Sequence, residues 1–426
     1  MKNMNVKSKC VSDSLRFMAS GKGNIPVRVY WAIEAAPLEY RTFGGTLRAH
    51  DFDLTDETIE NVFGGSYLLT LITGTAASRY LHAEGSIHSL YTDGKIFRFF
   101  ERHGLTDCGL WDHVNHELLD RELYDGSFNY SWAYSACKPY ATLSEIKITD
   151  GMPLLFHDSD LILRRAYDKI LGIKNPCEAA MAAGHLESIG TEFYPPFEDI
   201  ALTSCFELYD SKLTDKNTGL SYRTDLNAVN TCLMYFSDFN AAAEWAVLFR
   251  DLMKDNHAEV KDFLTGEQLL LCADQRPGLM VADRRGLELM KDMKLFIPAI
   301  WTGRTFESVN DSVFHEWHYY RPEYRSPDEY PEVRGWNQDI MHTWNQKRDI
   351  ENDPDYDAYF GVFHIELLMR ISDMAGLNPE RLEHCLRSFN SLSRYFELYD
   401  SGHNIEELIN AGKISDILRK GLFTSR

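Results

Sequence analysis

Val27-Arg28-Val29-Tyr30-Trp31-Ala32-Ile33 alternates Val, Val, Trp and Ile with Arg, Tyr and Ala. A period of two places the first set on one face of an extended chain, so the stretch predicts a strand with one face buried. A second strand is expected from Leu47 to Leu54. Thr55 then caps a short helix with Asp56 and Glu57 in its first turn, stopped by Gly64 and Gly65. Helical spacing follows from Ser66 to about Glu122, broken at Thr92-Asp93-Gly94. Ser144 to Ile148 reads as a strand, and Asp160 to Leu171 as a helix.

Tyr194-Pro195-Pro196 marks the expected boundary between two halves, because consecutive prolines remove backbone donors and suit a linker. Past it, Cys205–Lys212 and Leu220–Thr224 flank Thr214-Asp215-Lys216-Asn217-Thr218-Gly219, which predicts a hairpin with a longer loop. Thr231 to Phe236 continues as strand. Phe239 to Lys254 is apolar nearly all round, the pattern of a buried helix. A second hairpin is expected where Leu269–Cys272 and Leu279–Val281 meet across Pro277-Gly278.

The fold class that follows is α+β and helix-rich, with short antiparallel strands and hairpins in both halves and a mainly helical C-terminal third. Residues 1–25 form a basic, solvated tail, 26–194 an N-terminal domain and 195–426 a C-terminal domain. A chain of 426 residues exceeds the size at which single cores stop growing, which favours this division.

The net charge of −20 is uneven. Residues 196–426 hold 25 basic against 39 acidic side chains, a field that repels a phosphate backbone unless a local basic patch intervenes. Eight scattered cysteines without a C-x-x-C pair argue against a disulfide framework and a cysteine zinc site. No apolar run suits a signal peptide or a bilayer span. A cytoplasmic or host-cell interior location, with no membrane partner, is the expectation.

The segment from Trp301 to Trp344 holds four of the eight tryptophans. Pro322, Pro327 and Pro331 interrupt it, and it is too aromatic for a disordered linker. Arg304, Trp317, Tyr319, Tyr320, Arg321, Tyr324, Arg325 and Trp336 are residue types on which interface energy concentrates. They lead to the first functional expectation, a non-catalytic binding or assembly protein whose partner is another protein or a second copy of itself. No cofactor is expected on that reading.

Two alternatives rest on other residues. His315-Glu316-Trp317-His318 places two imidazoles three residues apart, on one face if helical, where they would hold Zn²⁺ or Fe²⁺ in a metal-dependent hydrolase. A third ligand would come from afar, for instance His342. Satisfied histidines packed among rings are the plainer explanation. Gly376, Asn378 and Pro379 shape a helix-turn-helix corner, with Arg381 and Arg387 as candidate phosphate contacts. Glu380 and Glu383 beside them oppose that use.

Other clusters have local explanations. Asp112, His113, His116 and Glu117 pair at helical spacing. The Asp349–Asp357 alternation lacks the glycine and the terminal glutamate of a calcium loop. His157-Asp158 follows an apolar run, and Asp158 or Ser159 serves as a helix cap. No glycine-rich phosphate cradle and no G-x-S-x-G elbow appears.

Overall fold

The computed structural model describes residues 9–33, 55, 59–60, 65–118, 137–159, 161–183, 186–187, 206–226, 228–229, 231–255, 276–290, 295–296, 340–342 and 354–402. Helices α1 (Lys9–Ser20), α2 (Ser66–Leu81), α3 (Gly94–Arg102), α4 (Cys137–Ile148), α5 (Tyr167–Leu171), α6 (Phe239–Asp255), α7 (Pro354–Met374), α8 (Pro379–Arg387) and α9 (Ser393–Asp400) surround the strands. The chain is mixed α and β and rich in helix, as the sequence predicts, but its central sheet is mainly parallel.

That sheet contains β1 (Arg28–Ile33), β2 (Ile87–Thr92), β3 (His113–Asn115), β4 (Leu154–His157), β6 (Met181–Ala182), β12 (Leu233–Phe236) and β13 (Leu289–Met290). Their spatial order is β3-β2-β1-β4-β12-β6-β13. β2 and β4 both run parallel to β1, β3 is parallel to β2, and β13 is parallel to β6. β12 alone runs against its neighbours β4 and β6. The sheet therefore draws strands from both sides of residue 195.

Between β4 and β6 lies β5 (Leu161–Leu163), which leaves the main sheet to pair antiparallel with β15 (Ile340–His342), itself parallel to β14 (Leu295–Phe296). β8 (Phe206–Tyr209), β9 (Lys212–Asp215) and β10 (Ser221–Arg223) form an antiparallel meander, with β7 (Leu186–Glu187) and β11 (Ala228–Val229) as a separate pair. The expected hairpin around 214–219 is the β9–β10 turn. Asp215 organises it, accepting from the Asn217 amide at 2.8 Å and the Thr218 hydroxyl at 2.7 Å.

The alternation in β1 is real, yet both of its faces are covered. Val27, Val29, Trp31 and Ile33 join the core shared with α2 and α7. Tyr30 joins Phe156, Met234 and Trp245 in the second core, under α4 and α6. Helices on both faces are the rule for parallel strands, whose crossovers lay helices over the sheet. Arg28 is consequently buried, and Glu145 of α4 answers it at 2.6 Å while accepting from the Tyr91 hydroxyl at 2.8 Å.

Several local expectations change. Residues 144–148 are helical and 161–163 extended, the reverse of the sequence prediction at both places. Leu279–Val281 lies in a helical run, 276–285, where a hairpin was expected. Residues 9–20 form α1, with Val11 and Met18 buried, where the sequence suggests a tail. The α7–α8 corner is as expected: Gly376 has a positive φ of 73°, and Asn378 accepts from the Arg381 amide at 3.0 Å.

Candidate active site

In an open α/β sheet, ligands bind outside the carboxyl ends of the strands, where the strand order reverses. Here the chain passes from β1 outward through β2 to β3, then returns to place β4 on the opposite side of β1. The crevice between the carboxyl ends of β1 and β4 is thus the switch point. The residues leaving β4 there are Asp158 and Ser159; Asp160, next in the sequence, lies outside the described residues.

Asp158 is held from several directions. Its amide donates to the Cys232 carbonyl at 2.8 Å, tying the turn to the start of β12. Its carboxylate faces the ammonium of Lys138, with Nζ 3.1 Å from Oδ1 and 3.4 Å from Oδ2. Ser159 is hydrogen-bonded through its hydroxyl to that of Tyr67, in the first turn of α2. Behind the turn, the Trp31 indole donates to His157 Nδ1 at 3.1 Å, and the same nitrogen lies 2.7 Å from the Asp158 carbonyl oxygen. The Asp158 side chain nevertheless remains 26% exposed.

Below the turn lies a group of neutral imidazoles. His82 and His88 flank the Ser78 hydroxyl at 2.9 and 3.2 Å. Burial, followed by the neighbouring His88 and His157, holds the His82 pKa well below the usual histidine range. Burial likewise lowers that of His88, although Asp112 opposes the shift. Asp112 accepts from Arg79 at 3.0 and 3.1 Å and from the His88 amide at 2.8 Å. It belongs to this packing and to no helical cluster with His116, since residues 113–115 are strand and His116 stacks on Phe97 at 4.1 Å.

The small sheet brings a distant residue close. His342 in β15 stands opposite Leu161 in β5, one residue beyond Asp160. Arg304, His315, Trp317, His318, Tyr319, Tyr320, Arg321, Tyr324, Arg325 and Trp336 all lie outside the described residues. The Arg387 guanidinium donates to Glu383 at 2.7 Å and Asp400 at 2.8 Å and lies 4.2 Å from the centre of the Phe396 ring, contacts that tie it to the α8–α9 corner. Arg381 remains on the surface of that acidic corner.

The sequence reading took His157-Asp158 for a helix cap and missed Asp158-Ser159-Asp160 as a unit. The available signal was an apolar run, Leu154-Leu155-Phe156, ending in two carboxylates one residue apart. Its meaning depends on that run being a central strand.

Taken together, fold and site define a doubly wound α/β protein with a carboxylate-bearing turn at its switch point. No family model matches the chain, and no curated protein matches it. Among solved structures it is similar to WbbM, a bifunctional glycosyltransferase, at 10% identity over 83% of this chain and 52% of that one, with a TM-score of 0.35. It is also similar to the galactosyltransferase LgtC in complex with donor and acceptor sugar analogues, at 10% identity over 82% and 95% of the two chains, TM-score 0.33. A third likeness is to GlyE, a glycosyltransferase of Streptococcus pneumoniae TIGR4, at 14% identity over 82% and 64%, TM-score 0.33. This chain spans about half the length of WbbM and under two thirds of GlyE.

These matches correct the first functional expectation. The matched proteins are glycosyltransferases, whereas the sequence reading proposed a non-catalytic binding or assembly protein with protein–protein contact and self-assembly as its work. Among the described residues, no group of three side chains is arranged to hold a metal ion. No described helix is long and apolar enough to cross a membrane.

Proposed function

We propose that the protein is a glycosyltransferase that binds a nucleoside diphosphate sugar with a divalent cation at the Asp158-Ser159-Asp160 turn. The reaction class is taken from the matched structures. The observation that carries the reading is this chain's own: the Asp158 carboxylate, 26% exposed, at the carboxyl end of β4 and at the switch point, with Asp160 two residues on in the sequence.

Carboxylate oxygens are hard ligands suited to Mg²⁺ or Mn²⁺, which are commonly held by one or two carboxylates together with substrate phosphates. Asp158 offers carboxylate oxygens, and Asp160 follows two residues on in the sequence. A chain of net charge −20 without a glycine-rich cradle needs a cation to receive a diphosphate. When bound, the ion supplies charge neutralisation for the departing nucleoside diphosphate. The protein's part is to orient: β12 fixes the backbone at Asp158, Tyr67 fixes Ser159, and the buried Trp31–His157 pair supports the turn from below.

The test is a panel of nucleoside diphosphate sugars assayed with Mn²⁺ or Mg²⁺ for binding by thermal shift and for release of nucleoside diphosphate. We expect metal-dependent stabilisation by one donor. Asp158→Asn should lower turnover by at least about 10²-fold, the scale of losing a group that stabilises developing charge. A panel in which no donor binds in the presence of either ion would overturn the reading.

A further inference from the structure

Ser78 stands between two buried imidazoles with a single hydrogen to give. Its hydroxyl lies 2.9 Å from His82 Nδ1 and 3.2 Å from His88 Nε2. It can therefore donate to one ring and must accept from the other, which couples the tautomers of the two histidines. The far side of His88 decides between the two arrangements. His88 Nδ1 lies 3.7 Å from Asp112 Oδ2, longer than a hydrogen bond but close enough for a carboxylate to repel a bare nitrogen lone pair. Asp112 stays ionised: burial raises its pKa, but hydrogen bonds from His88 and Arg79 outweigh that and hold it well below the usual carboxylate range.

The hydrogen of neutral His88 accordingly sits on Nδ1. Nε2 is then an acceptor, so the Ser78 hydroxyl donates to it and accepts in turn from Nδ1–H of His82. His82 Nε2 is left as a bare nitrogen, buried and without a hydrogen-bond partner among the described residues. Asp112 and Arg79 face the pair from the His88 side. His157 faces it from the His82 side, as does Tyr167, whose ring lies 5.8 Å from that of His82. Burial disfavours a charge on either ring, and the Ser78 carbonyl partly offsets this. Burial also pushes the Tyr167 phenol far above its ordinary pKa, so that neighbour stays neutral.

We propose that His82, Ser78, His88 and Asp112 form an acid-loaded proton relay, which takes a proton at His82 Nε2 and delivers its charge to His88 beside Asp112. Each transfer moves one hydrogen one place along. The Nδ1 hydrogen of His82 passes to the Ser78 oxygen as the Ser78 hydrogen passes to His88 Nε2. His82 ends neutral with its hydrogen on Nε2, and His88 ends as an imidazolium paired with Asp112. The charge rests on His88 because the carboxylate stands on that side. Burial lowers the His88 pKa despite Asp112, so loading begins below the ordinary value of about 6.5. The loaded ring lies 6.1 Å from that of Trp31, whose indole supports the Asp158 turn through His157. The relay needs neither a sugar nor a metal ion and is independent of the glycosyltransferase reading.

The experiment is a long-range ¹H–¹⁵N correlation spectrum of the full chain with ¹⁵N-labelled histidine, which separates protonated from bare ring nitrogens, recorded from about pH 7 to about pH 5. His82→Gln and His88→Gln assign the two rings. At the neutral end the expected result is Nδ1–H on both. On acidification both nitrogens of His88 become protonated, while His82 stays neutral and moves its hydrogen to Nε2. Ser78→Ala cuts the link, so His82 keeps one tautomer as His88 titrates. Asp112→Asn removes the counter-charge, and His88 then charges about one pH unit lower, the scale of losing an opposite charge nearby. An Nε2–H tautomer on either ring at the neutral end overturns the relay. So does a His82 tautomer that stays unchanged while wild-type His88 charges. Unfolding of the wild type before His88 charges, seen by far-UV circular dichroism, overturns it too. If Ser78→Ala fails to fold, the wild-type titration decides alone.

Discussion

His364 shows how one buried side chain sets a pH limit. It lies on α7 and is wholly enclosed, and burial pushes its pKa down to about 3. An unfolded chain exposes the imidazole, which then titrates near 6.5. Below that pH the unfolded state binds a proton that the folded state refuses, so the contribution of this group is complete above 6.5 and is lost as pH falls toward 3. The loss amounts to roughly 1.4 kcal/mol per pH unit within that window. Urea unfolding at pH 7 and pH 5 should therefore show a drop from this residue of about 2 kcal/mol in the wild type, absent in His364→Leu. Equal drops in the two proteins would show that His364 titrates elsewhere. His82 and His88 shift in the same direction and add to acid sensitivity directly under the proposed site.

Among the elements, α2 does most to place the site. It crosses from β1 to β2 over one face of the sheet, and its first turn carries Tyr67 to Ser159. Its middle can approach β5 only because residue 74 is glycine. A Cβ built there would lie 2.2 Å from the Leu161 carbonyl oxygen, a backbone atom that cannot rotate away. Gly74→Ala gains up to about 1 kcal/mol in helix propensity. It costs about 1–3 kcal/mol in overpacking, and a backbone clash belongs at the upper end of that range. Net destabilisation is expected, visible as a lower melting temperature. Because Leu161 follows Asp160 directly, Mn²⁺ affinity should fall as well. An alanine variant as stable as wild type would show that the α2–β5 approach is looser than described.

At the scale of the molecule, the sheet is completed late in the chain. β12, at residues 233–236, fills the place between β4 and β6 and supplies the carbonyl that holds the Asp158 amide. A fragment ending at residue 194 would leave Leu154–His157 as an unpaired strand edge that is apolar on both faces, a template for aggregation. We therefore expect 26–194 expressed alone to be insoluble or to lack cooperative unfolding, measured by sedimentation and thermal melting. A cooperative, monomeric fragment would establish an independent N-terminal domain and a different origin for the late strands.

Much of this protein was legible locally. The strand at 28–33, the β9–β10 hairpin, the long helix from Phe239 and the cap at Asn378 each follow from spacing or turn chemistry within a few residues, and local geometry needs nothing more. The parallel sheet was not legible, because a strand covered on both faces reads as a short apolar run that periodicity cannot separate from a helix; 144–148 and 161–163 were exchanged for this reason. The site was missed with it. Asp158-Ser159-Asp160 is two carboxylates and a hydroxyl in any sequence, and it draws notice as a candidate site only when β4 ends beside β1 at the switch point. Lys138 is some 20 residues earlier, and β15 some 180 later. Only the tertiary structure brings them together, since their pairing is set by which strands lie side by side and by no pattern along the chain.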